Sequence, residues 1–130
     1  MAAKHVLSVG QCGFDGPVIA GLLRDQFGAD IVNADSAAEA LDRLQRGHFD
    51  LALVNRQFDR GGSGLDLIAR LKSDPALGHV PVMLVSNYPD AQQRAVELGA
   101  LPGFGKDALD EPETTARLEA ALSDQARAAS

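Results

Sequence analysis

Basic charge is in short supply in this chain, cysteine is nearly absent, and no apolar run comes near the ~20 residues needed to cross a bilayer. Twelve lysines and arginines stand against eighteen acids, leaving a net charge of −6 over 130 residues. Without a basic stripe to neutralise phosphates, direct nucleic-acid binding is not expected. The single cysteine, Cys12, excludes an internal disulfide and a cysteine-rich zinc site and fits a reducing compartment. Neither a signal peptide nor a membrane span is expected, so the expected location is cytoplasmic.

Several nucleotide and nucleophile motifs are missing as well. Gly10-Gln11-Cys12-Gly13 lacks the third glycine of a dinucleotide fingerprint, and Gly61-Gly62-Ser63-Gly64 lacks the Lys-Ser/Thr ending of a phosphate loop. Cys12 stands between a strand and a helix, where backbone N–H groups can stabilise a thiolate. Small tyrosine phosphatases place an arginine six residues beyond such a cysteine; here that residue is Val18, so Cys12 is expected to be an ordinary packed thiol. His5, His48 and His79 fall at strand edges or turns with no second ligand nearby, and no metal site is expected among them.

What the chain does have is alternation. Hydrophobic residues make up 45% and charged residues 23%, the balance of an ordinary globular domain. His5 to Val9, Asp30 to Asn33, Phe49 to Asn55, Val80 to Val85 and Leu101 to Lys106 are short β-type runs, the last weakened by Pro102, Gly103 and Gly105. Between them lie amphipathic helical stretches. The first spans about Gly16 to Phe27, capped by Asp15 and ended by a left-handed Gly28. The second opens on a Ser36/Glu39 capping box, the third carries Leu65, Leu67, Ile68 and Leu71, the fourth runs from Asp90 to Leu98, and the last begins near Pro112. Five strand–helix alternations without a repeat or linker predict one α/β domain over residues 4–125, with 126–130 a disordered tail. The expected fold is a three-layer, doubly wound, parallel five-stranded sheet of flavodoxin-like order 2-1-3-4-5.

In such a sheet, ligands gather beyond the carboxyl ends of the strands. The strand ends place Gly10 and Gln11, Asn55, Ser86 and Lys106 around one crevice. Together with Val6-Leu7-Ser8-Val9, Phe49 to Asn55, Ser63-Gly64-Leu65-Asp66-Leu67, Pro81 to Ser86, and Gly99-Ala100 leading to Lys106, these residues make the chain resemble a receiver domain of a two-component response regulator along its whole length. The resemblance implies a phosphorelay signalling module, not an enzyme, whose members carry two acidic magnesium ligands after the first strand and a phosphoacceptor aspartate after the third. A hydroxyl ends the fourth strand, a lysine ends the fifth, and an aromatic switch residue lies three positions before that lysine.

Residue by residue, the acidic pair falls on Gly10 and Gln11, the phosphoacceptor on Asn55, the hydroxyl on Ser86, the lysine on Lys106 and the aromatic on Gly103. Asp107 replaces the usual proline after the lysine, and the loop after Asn55 is one residue longer than usual. Neutral ligands suit magnesium poorly, and an amide is a poor nucleophile for an acyl phosphate. The expectation is therefore a degenerate receiver, a pseudo-receiver without magnesium or cofactor, that is not phosphorylated at Asn55 and acts by protein–protein interaction. Asp15 and Asp59 are the nearest carboxylates that could substitute, though neither ends a strand; a helix cap and a turn explain them. Lys106 is expected to hydrogen-bond the Asn55 carbonyl, and Arg56 and Arg60 to meet solvent or Asp59. The expected partners are signalling proteins, a histidine kinase or a downstream effector, with a homodimer possible through the face from Asp90 to Leu122. The alternative is a flavodoxin-like domain that binds a small anion or performs hydrolysis in the same crevice.

Overall fold

The computed structural model describes residues 4–11, 15–58 and 62–122. Cys12, Asp59, Arg60 and the tail fall outside these, as does the side chain of Asp15. Five strands, β1 (His5–Val9), β2 (Asp30–Ala34), β3 (Leu51–Asn55), β4 (Val82–Val85) and β5 (Leu101–Phe104), form one sheet in the order β2-β1-β3-β4-β5, every pair parallel. They alternate with α1 (Asp15–Phe27), α2 (Ala37–Arg46), α3 (Gly64–Ser73), α4 (Pro89–Glu97) and α5 (Pro112–Leu122). The doubly wound architecture and strand order are those expected.

Successive strand residues face opposite sides of the sheet, and in a parallel sheet both sides are covered. Leu7, Val9, Ala52, Val54, Val82 and Leu84 pack with Ala40 and Leu44 of α2, Leu67, Ile68 and Leu71 of α3, and Ala91 and Ala95 of α4. Val6, Leu51, Leu53, Met83, Val85 and Phe104 pack on the other side with Ile19 and Leu23 of α1 and with Leu118 and Leu122 of α5. Complete burial of each such Leu, Ile or Val contributes about 1.5–3 kcal/mol, so the two layers of apolar contacts dominate the fold's stability.

Local chemistry fixes the element ends. Ser36 Oγ accepts the Glu39 N–H at 3.1 Å, one half of the expected capping box. The Glu39 carboxylate also reaches back beyond the helix and accepts the Asp35 N–H at 2.8 Å. Gly28 closes α1 at φ 64°, as expected of a left-handed cap. Ser63 caps α3 by accepting the Leu65 N–H at 3.1 Å. β3 starts at Leu51, two residues later than expected; just before it Asp50 clasps His5, its N–H donating to the His5 carbonyl at 2.8 Å and its carboxylate accepting the His5 N–H at 2.8 Å. β4 likewise starts at Val82; Pro81 has no N–H to give the ladder, and the Val80 N–H bonds Leu77. β5 stops at Phe104, and Lys106 opens a 3₁₀ turn, Lys106–Ala108, in place of the strand end expected there.

Lys72 fastens the end of α3 to the turn that follows. Its Nζ donates to the carbonyls of Gly78 at 3.0 Å and Val80 at 2.9 Å, and its stem lies against Gly99. Burial lowers its pKa. The unfolded chain therefore holds this proton more tightly than the folded one, and the stability linked to it rises with pH through the lowered folded value toward the ordinary lysine value. Lys72→Met leaves two half-buried carbonyls without donors and is expected to destabilise the domain by about 1–3 kcal/mol in urea unfolding. An unchanged midpoint would show that water replaces the ammonium at no cost.

Candidate functional site

At the carboxyl edge of the sheet, Asn55, Arg56, Gln57, Phe58, Ser86 and Lys106 line a crevice of about 420 Å³, walled also by Asn87 and Tyr88. β3 ends at Asn55, and the side-chain amide ties the crevice floor together. Its Nδ2 donates to the Gly10 carbonyl at 3.0 Å and to the Gln57 carbonyl at 2.7 Å. Ser86, buried just past β4, accepts the Tyr88 N–H on its hydroxyl at 3.1 Å. The Arg56 guanidinium lies 4.7 Å from the centroid of the exposed Tyr88 ring, a cation–π contact over the mouth of the crevice. The described lining residues thus carry two cations and no carboxylate.

The turn after β1 contributes backbone only. Gly10 has φ 71°, and a Cβ there would stand 2.2 Å from Cδ1 of Phe58. The Phe58 ring is 5% exposed and packs onto the glycine, filling the volume a side chain at position 10 would use. Gln11 lines a different cleft, beneath α1. The structure therefore brings Asn55, Ser86 and Lys106 together, while Gln11 turns away and Gly10 is covered. His48 Nε2 lies 3.1 Å from Asp50 Oδ1 at the opposite edge of the sheet, and His79 stands at the rim of a cleft on that edge. Among the described residues no cluster of three or more His, Cys, Asp or Glu has the geometry to hold a metal.

Gly103 is part of a β-bulge. Between Met83 and Val85 of β4, whose partners are Leu101 and Phe104, β5 has one extra residue. A Cβ on Gly103 would lie 2.1 Å from the Leu84 carbonyl oxygen. Gln92 reaches in from α4 to this spot. Its Nε2 donates to the Leu84, Ser86 and Phe104 carbonyls at 2.8, 3.1 and 3.3 Å, and its Oε1 accepts the Gly103 N–H at 3.2 Å. Arg117 of α5 donates to the Gly103 carbonyl. Phe58, Gln92 and Arg117 were not legible as site residues from the sequence. Phe58, an apolar residue inside a glycine-rich polar loop, was the one visible signal.

The family profile of the response regulator receiver domain matches residues 17–122. The chain is 33% identical over 69 residues to the chemotaxis protein CheY of Pseudomonas aeruginosa, covering 53% of this chain and 55% of that protein. It is 32% identical over 82 residues to a gliding motility regulatory protein of Myxococcus xanthus, covering 62% of this chain and 10% of that protein. The chain thus spans little more than half of the first and a small part of the second. Among solved structures, the receiver domain of a DNA-binding response regulator from Colwellia psychrerythraea superimposes with a TM-score of 0.69 at 26% identity, covering 80% of this chain and 86% of that one. A chain from Chloroflexus aurantiacus shares the fold with a TM-score of 0.82 at 20% identity, covering 93% of this chain and 98% of that one. With its strand order, its crevice and a profile match over most of its length, this chain belongs to the response regulator receiver domain family.

Proposed function

We propose that this receiver domain signals without being phosphorylated at Asn55, by binding another signalling protein, a histidine kinase or a downstream effector, in the cytoplasm. The observation that carries the reading is the packing of Phe58 onto Gly10. A magnesium ion in this crevice would need carboxylate oxygen from the turn after β1 and from the end of β3. Position 10 has no side chain and its space is filled, Gln11 lies beneath α1, and Asn55 spends its amide N–H groups on two backbone carbonyls. These residues do not fit the metal, and Asn55 is not the carboxylate nucleophile an acyl phosphate needs.

The surface of α4, β5 and α5, residues 90–122, is the proposed contact or homodimer face. Val96 of α4 is exposed there, with Tyr88 just before the helix. Gln92 and Arg117 join α4, β5 and α5 through hydrogen bonds, which suits a face that presents itself in one fixed form.

Titration with beryllofluoride and magnesium, followed by amide resonances of the labelled protein, tests the reading. No shift is expected at Asn55, Ser86 or Lys106, since beryllofluoride needs a carboxylate anchor and the metal. A magnesium-dependent shift at those amides would revive phosphoryl chemistry in the crevice.

A further inference from the structure

A second cleft, separate from the crevice, lies under α1. Strand β1 places Ser8 on the side of the sheet that faces α1, in register with Asn33 of β2. The neighbouring residues on that face, Val6, Leu51, Leu53 and Met83, are apolar, as a covered sheet requires. Above the polar pair α1 presents Gly16 and Ala20, four residues apart and so on one helix face. A Cβ on Gly16 would meet nothing nearer than the Gln11 Cβ at 3.6 Å. Small residues over a polar floor leave a cleft of about 400 Å³.

Two buried polar atoms at this cleft have no hydrogen-bond partner among the described residues: Ser8 Oγ, on a residue only 2% exposed, and Gln11 Oε1. An unmatched buried polar atom costs about 1–3 kcal/mol, and a valine at position 8 would avoid that cost. Two charged residues complete the lining, Arg24 from α1 and Asp35 just past β2, and neither forms an ion pair among the described residues. The unmatched buried acceptors call for a donor-rich group, and the exposed Asp35 carboxylate and Arg24 guanidinium at the rim favour one that carries both a positive and a negative charge.

We propose that this cleft binds a small zwitterion of the free α-amino acid class. Its ammonium donates to Ser8 Oγ, Gln11 Oε1 and the Asp35 carboxylate, and its carboxylate accepts from Arg24. The site uses no crevice residue, so it stands whether or not the crevice is inert. Gln11 directly follows Gly10, whose carbonyl holds Asn55, so occupancy beneath α1 reaches the floor of the crevice through one peptide unit.

The test is a titration of the labelled full chain with each of the common free α-amino acids, with glycerol, acetate and methylammonium as partial probes. At least one amino acid is expected to shift the Ser8, Gln11 and Asn33 amides saturably, with acetate and methylammonium each binding at least about tenfold more weakly. Ser8→Val should abolish the shifts, and Arg24→Gln should weaken them about tenfold or more. If Ser8→Val does not fold, Ser8→Ala, which removes only the hydroxyl, should weaken binding about fivefold or more. The proposal is overturned if no amino acid moves those amides in the folded protein, if glycerol moves them equally, or if loss of the Ser8 hydroxyl leaves the affinity unchanged.

Discussion

Asn55→Asp alone is expected to leave the domain unable to take up label from acetyl phosphate in the presence of magnesium, even though it restores the carboxylate nucleophile. One carboxylate does not make a site for a hard divalent cation, and the turn after β1 adds none. Bound metal contributes several kcal/mol to transfer of a phosphoryl group, and each ~1.4 kcal/mol is a factor of ten in rate. Uptake by Asn55→Asp should therefore stay below about one-hundredth of that reached by a variant with a complete metal site. Completing it requires more than the two missing acids. Gly10→Asp puts a Cβ 2.2 Å from the Phe58 ring, so the ring must leave its buried seat. The backbone at position 10, with φ 71°, adds a smaller cost that aspartate tolerates better than most residues. Gly10→Asp, Gln11→Asp and Asn55→Asp together should lose about 3 kcal/mol or more in urea unfolding, chiefly from expelling Phe58. Adding Phe58→Ala opens the space, and magnesium should then raise the melting temperature of the four-fold variant alone and support uptake of label. Comparable uptake by Asn55→Asp on its own would overturn the account of Phe58 as the residue that closes the site.

The same residues show what a sequence can and cannot disclose. The parallel α/β sheet followed from apolar runs of strand length separated by amphipathic helices, because burial on both faces leaves its period in the chain; the order of its strands came with the likeness to a known fold. Asn55, Ser86 and Lys106 could be placed at one edge because strand ends of a parallel sheet converge there. Gln11 could not be placed, since it lies beyond the last ladder residue, where alternation no longer dictates which way a side chain turns. The contact of Phe58 with Gly10 joins residues 48 positions apart, and nothing local in either segment announces it. Gln92 misled in another way: on an amphipathic helix a polar residue is expected to face water, yet this one turns inward to serve three carbonyls and the Gly103 N–H beside the bulge.

Gly103→Tyr, which would reinstate the aromatic residue implied by the family pattern, is expected to destabilise the domain by more than about 4 kcal/mol, among the largest effects any single substitution here should have. The obstacle is the β-carbon and not the ring. The bulge in β5 brings position 103 so close to β4 that any Cβ would stand 2.1 Å from the Leu84 carbonyl oxygen. A main-chain atom of a central strand cannot move aside the way a flexible side chain can. Gly103→Ala should therefore show much of the loss, and trimming Gln92 to make room should not rescue Gly103→Tyr. Gln92→Ala by itself removes the donor to three carbonyls and the acceptor for the Gly103 N–H, and should cost about 2–3 kcal/mol. Urea unfolding of the three single variants and of the Gly103→Tyr, Gln92→Ala pair separates the two causes. If the pair recovers the stability of Gln92→Ala, the block was the glutamine, and α4 could yield to an aromatic side chain. If it does not, the bulge itself excludes a side chain at position 103, and the α4–β5–α5 surface is built without the part that would let an aromatic ring swing.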